Sequence, residues 1–219
     1  MNYPMLKEAH MIVVKNNEAS EYYANYCTKT WESANIKVNR FRAVTPSTYE
    51  MREIPLKFGK FNRTVKYRRR KIDAEITATE KCVFASHYDL WRHCAYSNEP
   101  LMVLEHDAYL ERPEDLWYDP KYGVIFFDKA SMGSYIIQPW FAKMVIEHLL
   151  DHVIDTGPFW IIRLVAMKHK IEDLLVNETH PLYKPVSNQV MSKKYGGTVE
   201  HYCTTYPEGF RTHEFKMIE

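Results

Sequence analysis

The sequence predicts an α/β protein: a mostly parallel sheet flanked by helices, with a loop-rich C-terminal region. Three observations carry this. Short apolar runs alternate with longer segments in which apolar residues recur three or four apart, the order expected of strand–helix–strand units. The 219 residues are 46% hydrophobic and 26% charged, an ordinary globular composition that can bury a core without disulfide staples. Finally, "LMVLEHDAYL", residues 101–110, is a greasy strand that finishes in Glu105, His106 and Asp107. In open parallel sheets ligands bind beyond the carboxyl ends of the strands, which is where such groups are useful.

The elements follow in order. "HMIVV", residues 10–14, reads as a short buried strand. Tyr23, Tyr26, Cys27, Thr30, Trp31 and Ala34 then keep helical spacing, with Asn17 or Ser20 as the cap. "VNRFRAV", residues 38–44, alternates as a second strand. Residues 45–73 lack clear periodicity and predict a long loop with at most a short helix. Residues 77–97 form a second helix, in which Thr77 and Glu80 fit a capping box and Val83, His87, Leu90 and Cys94 form the inner stripe. "LMVLEHDAYL" is the third strand, "YGVIFFD" the fourth and "GSYIIQP" a short one; "PWFAKMVIEHLLDHV" and "PFWIIRLVAMKHK" are helices. The tail from Val176 is rich in proline and glycine, with one strand at "PVSNQV".

Several classes are excluded by what is missing. There is no G-x-G-x-x-G and no Walker sequence. No apolar run reaches the roughly 18 residues of a membrane span. The N-terminus has no basic and then apolar leader, and Cys27, Cys82, Cys94 and Cys203 are unpatterned, so reduced thiols and a cytoplasmic location are expected.

The net charge of +1 hides an asymmetry. Residues 57–71, "KFGKFNRTVKYRRRK", carry eight basic residues and no acid; 29 − 8 leaves 21 Lys and Arg against 28 Asp and Glu elsewhere. Lys57, Lys60, Arg63, Lys66, Arg68, Arg69 and Arg70 form a candidate anion-binding element.

Side chains alternate along a strand, so Glu105 and Asp107 are expected on one face. Two carboxylates on one face repel unless a cation or proton lies between them. A divalent ion such as Mn²⁺ or Mg²⁺ accepts hard carboxylate oxygens and can also hold a diphosphate. An isolated acid-x-acid triplet is more often a strand emerging into solvent, and His87 alone is more often a buried structural histidine.

The neighbourhood shifts that balance. "TEKCVFASHYDLW" followed by "LMVLEHDAYL" resembles glycosyltransferase family 25, whose signature is approximately T-x-G-E-x-G-C-x-x-S-H-x-x-x-W and then an apolar strand ending E-D-D. Thr79, Glu80, Cys82, Ser86, His87 and Trp91 match in order, as do Leu104, Glu105 and Asp107. "NRFRAVTP" and "MGSYIIQPWFAKMVIEHLL" resemble it more faintly, extending the likeness over roughly residues 10–160. His106 stands where the family has a central Asp, Lys81 where a small residue is usual, and the Gly before Glu80 is absent.

The resemblance implies a GT-A-like fold over residues 1–219 as one domain. Residues 10–110 would be the nucleotide-sugar-binding half; residues 111–219 would be the acceptor half and tail. It implies transfer of a sugar from a nucleotide-diphosphate sugar, with a Mn²⁺ or Mg²⁺ ion held by Glu105 and Asp107. His180, in "ETHPLY", is a candidate third ligand, although such a histidine is more often one exposed on a loop. Ser86, His87, Glu105 and His106 would line the donor site. Asp155 or Asp107 would serve the chemistry, Asp155 as the base that takes the acceptor's proton; Asp128 is another candidate base.

For the acceptor, the basic segment interleaved with Phe58, Phe61 and Tyr67 favours DNA carrying 5-hydroxymethylated bases, as in bacteriophage DNA modification. An oligosaccharide of a bacterial envelope is the alternative acceptor. A non-catalytic nucleic-acid-binding protein on an old transferase fold is the alternative of another class; detectable sugar transfer would exclude it.

Overall fold

The computed structural model describes residues 3–65, 70–128 and 132–189. In chain order come β1 (Glu8–Val13), α1 (Glu18–Ser33), β2 (Lys37–Arg42), α2 (Pro46–Glu50), β3 (Lys60–Val65) and β4 (Arg70–Glu75). Then follow α3 (Ala78–Ser97), β5 (Leu101–Glu105), β6 (Ala108–Leu110), β7 (Val124–Phe126) and β8 (Ser134–Ile137). The last are α4 (Pro139–Asp151), α5 (Pro158–His169), β9 (Leu175–Val176) and β10 (Ser187–Gln189).

Six strands form one sheet in the order β2-β1-β5-β8-β7-β9. Every neighbour pair is parallel except the two made by β8. The reversal has a simple cause. The connection between β7 and β8 is too short for a crossover, and parallel neighbours need a dozen or more connecting residues. The expected mostly parallel sheet flanked by helices is therefore what the chain adopts.

Period-2 alternation sorts the core into two layers. Leu101, Val103, Val124, Phe126, Tyr135 and Ile137 pack with α3, α4 and α5. Met102, Leu104, Ile125, Phe127 and Ile136 pack with α1 on the opposite face. Helix α1 is capped by Asn17, whose side chain accepts from the Ser20 N–H, and α3 has the full capping box of Thr77 and Glu80. Its inner face differs from the expected stripe. Val83 is exposed, whereas Phe84, His87, Tyr88, Leu90, Trp91 and Cys94 are buried, because α3 packs against α4 as well as against the sheet.

Two expectations are corrected. Residues 101–110 are not one strand: β5 stops at Glu105, residues 106–107 turn, and β6 pairs antiparallel with β10 in a separate two-stranded sheet. The Trp31 indole N–H donates to the Ala108 carbonyl at 2.7 Å and holds β6 beside α1. Residues 45–73 are not a loop with a short helix alone. Beyond α2, residues 60–75 contain an antiparallel hairpin in which Lys60 stands opposite Glu75 and Val65 opposite Arg70. Among the described residues this hairpin pairs with no strand of the main sheet, and its sequence shows no clear alternation. Its base is fixed where Phe58 bridges Ile154 just after α4.

Candidate active site

The carboxyl ends of β1, β2, β5 and β7 lie at one edge of the sheet. Glu105 stands opposite Ile12 of β1, and its backbone N–H donates to Gly133 at 2.7 Å. It continues the Leu101–Val103 face toward α3, and its side chain is 26% exposed.

Asp107 does not share that face as the spacing implied. The strand has ended, the alternation with it, and the turn brings Asp107 to the α1 side, where it helps raise the Cys27 thiol above its usual range. The carboxylates still sense each other. Burial first, and then Glu105 and Asp128, hold Asp107 well above the usual carboxylate range, and its Oδ1 is buried without a hydrogen-bond partner. Asp128, at the end of β7, is itself buried and forms a bridge to Ser187. Three acids from two strand ends thus converge on this edge. His106, between the first two, is half-buried beside the Tyr23 ring at 6.2 Å, and burial lowers its pKa to about 4.

On the α3 side, His87 is fully buried. Its Nδ1 lies 3.0 Å from the Tyr135 hydroxyl, which also receives the Trp91 indole N–H at 2.9 Å. Its Nε2 faces Glu105 Oε1 at 3.5 Å. His87 therefore reaches the strand end through Glu105.

Ser86 points elsewhere. Its hydroxyl accepts from the Val44 N–H at 2.9 Å and donates to the Cys82 carbonyl at 2.8 Å, so both bonds serve the fold rather than a ligand. Just above it, Arg42, Ala43, Val44, Thr48, Met51 and Arg52 line a cleft of about 300 Å³ at the end of β2. The place of Tyr135 beside His87 was not legible, since an aromatic in a strand reads as core.

The remaining expected residues separate. Helix α4 starts beside Ile137, which pairs with Leu101, and its roughly 20 Å length returns the chain to the acidic edge. Asp155 follows it there and is exposed. His180 lies at the other edge, packed edge-on against Tyr122 before β7, with its Nδ1 accepting from the Leu182 N–H at 3.1 Å. The structure does not bring it to Glu105 and Asp107. Lys57 and Lys60 are exposed at the hairpin base, and the backbones of Arg63 and Arg70 lie in β3 and β4. Lys66, Arg68 and Arg69 lie outside the described residues.

The acidic edge suits a hard divalent ion in one respect: a partnerless buried carboxylate oxygen lies among mutually repelling acids. Among the described residues no three His, Cys, Asp or Glu side chains are grouped so as to hold an ion alone. An ion of the Mg²⁺ type is commonly held by one or two carboxylates together with substrate phosphates.

The profile of glycosyltransferase family 25 (LPS biosynthesis protein) matches residues 12–121, half of the chain. The chain belongs to that family and is a glycosyltransferase. Of the fainter likeness, "NRFRAVTP" falls within the matched span and "MGSYIIQPWFAKMVIEHLL" beyond it. Among curated proteins no match to the chain is found. Among solved structures, a mutant Drosophila β1,4-galactosyltransferase 7 in complex with manganese, UDP-Gal and xylobiose is similar at 6% identity and a TM-score of 0.43, over 95% of this chain and 80% of that one. Among the described residues no helix is long and apolar enough to cross a membrane.

Proposed function

We propose that the chain moves a sugar from a nucleotide-diphosphate donor to an acceptor hydroxyl at the acidic edge. The observation that carries this is the convergence of Glu105, Asp107 and Asp128 beyond the parallel strands, beside the family's Ser-His-Trp signature. Glu105 and Asp107 would hold a Mn²⁺ or Mg²⁺ ion. Such an ion, when bound, neutralises charge on the departing diphosphate. His106 borders the same donor site and His87 reaches it through Glu105, while Ser86 supports the cleft floor from beneath. Asp155, exposed at the same edge, would take the acceptor's proton. Residues 10–110 would supply the donor half and residues 111–219 the acceptor half of one domain. The test is transfer from a panel of nucleotide sugars with Mn²⁺ or EDTA. No hydrolysis or transfer from any donor would overturn the reading and leave the non-catalytic nucleic-acid-binding alternative.

The family's description favours a saccharide acceptor. A specific observation favours DNA instead: the acid-free basic segment, residues 57–71, overlaps a hairpin anchored next to Asp155. A two-stranded ribbon is narrow enough for a major groove, and a flipped hydroxymethylated base would present its hydroxyl to the donor. Neutralising about five phosphates would give a slope near −4.5 in log affinity against log salt. Replacing Arg68, Arg69 and Arg70 by Ala would flatten it. No duplex binding at low salt, alongside transfer to an oligosaccharide, would leave the glycan acceptor.

A further inference from the structure

The family signature places His87 and Trp91 four residues apart, one turn along α3. The structure shows what that spacing accomplishes: both side chains meet a single hydroxyl, that of Tyr135, which lies outside the signature. All three are fully buried, so water cannot substitute for any partner.

The bond directions follow from what each group can do. An indole N–H only donates, so the Tyr135 oxygen accepts from Trp91. The phenol has one proton of its own to give. Its oxygen meets Trp91 and His87, so the proton goes to His87 Nδ1. A neutral imidazole accepting at Nδ1 carries its hydrogen on Nε2. That nitrogen is buried, makes no hydrogen bond within the protein and faces Glu105 Oε1 at 3.5 Å. The opposite tautomer would crowd two donors onto the Tyr135 oxygen and turn a lone pair toward a carboxylate.

We infer that Trp91 and Tyr135 fix His87 as an Nε2–H donor that orients Glu105 at the mouth of the site. The chain of donors runs one way, Trp91 to Tyr135 to His87 to Glu105. The last gap is longer than a formed hydrogen bond, and contacts of this kind in unliganded sites tighten when substrate binds. Trp91, Tyr135 and His87 are thus positioning residues: they touch no substrate and act by limiting where one carboxylate can point. Their role rests on the reading of Glu105 as a donor-site group.

The test reads the imidazole directly. Long-range ¹H–¹⁵N spectra of metal-free protein, with His87 assigned by its loss in His87→Gln, report which ring nitrogen carries the hydrogen. The parent is expected to show Nε2–H. Tyr135→Phe, which deletes a single oxygen, is expected to move His87 toward the Nδ1–H form; Trp91→Phe serves as a second variant should the first misfold. In transfer assays Tyr135→Phe is expected to lower kcat about 10- to 100-fold, the usual effect of losing a ligand's orienting partner, with the acceptor KM unchanged. An Nδ1–H signal in the parent, or a tautomer indifferent to both variants, would overturn the inference. Full transfer by Glu105→Gln would sink the donor-site reading instead, whatever the tautomer.

Discussion

Ser86 and Val44, 42 residues apart in the chain, are joined by a 2.9 Å hydrogen bond that ties α3 to the segment leaving β2. Ser86→Ala leaves the Val44 N–H buried without a partner. The expected loss is about 1–3 kcal/mol, read as a lower urea midpoint at constant slope. A variant as stable as the parent would show that another group satisfies that N–H.

Glu105→Gln and Asp107→Asn are expected to abolish transfer while leaving circular dichroism unchanged. Mn²⁺ with nucleotide sugar at about 100 times the dissociation constant should stabilise the parent by about 2.7 kcal/mol and neither variant. Equal thermal shifts in all three proteins would remove these carboxylates from the ion.

The helices α1 and α3 could be read in advance because each carries a cap and an apolar face of period near 3.6, so local and tertiary demands agree. The hairpin could not. Among the described residues its strands pair only with each other, no clear period runs through its sequence, and residues 66–69 contain none of the Asn-Gly type pairs that announce a tight turn. The site was half legible. Glu105 and Asp107 were visible as acids ending a greasy strand, but "AYL" kept the run apolar and hid the turn that sends them to different faces. The roles of Ser86 and Tyr135 depend on partners 42 and 48 residues away, which spacing along one helix cannot reveal.

Acid should weaken the fold through His10. Burial, and then the neighbouring His93, lowers its pKa from the ordinary 6.5; Glu8 opposes this and Lys37 adds to it. The folded state therefore prefers the neutral ring. Its contribution is fully present above pH 6.5 and is lost as pH falls through the depressed folded value. His10→Gln is expected to flatten this acid limb in urea melts at pH about 7.5 and about 5.5. An unchanged limb would assign it to other groups.

Gly123 enters β7 with no room for a methyl group. A Cβ there would lie 2.5 Å from Phe141 and 2.9 Å from Trp140. Gly123→Ala is expected to cost about 1–3 kcal/mol by forcing α4 away from the strand. Calorimetry showing an unchanged melting temperature would mean that the helix gives way freely.

The β3–β4 hairpin contributes no strand to the six-stranded sheet, and it enters through the Phe58–Ile154 bridge with Gly59 donating to the Ile154 carbonyl at 2.8 Å. It is therefore a graftable cassette. Exchanging residues 60–75 for the corresponding stretch of another family member leaves every strand pairing around Glu105 untouched, and so tests the part proposed for the hairpin apart from that proposed for the acidic edge. A library varied only within that insert would sample new sequences there while the six-stranded pairing stays constant.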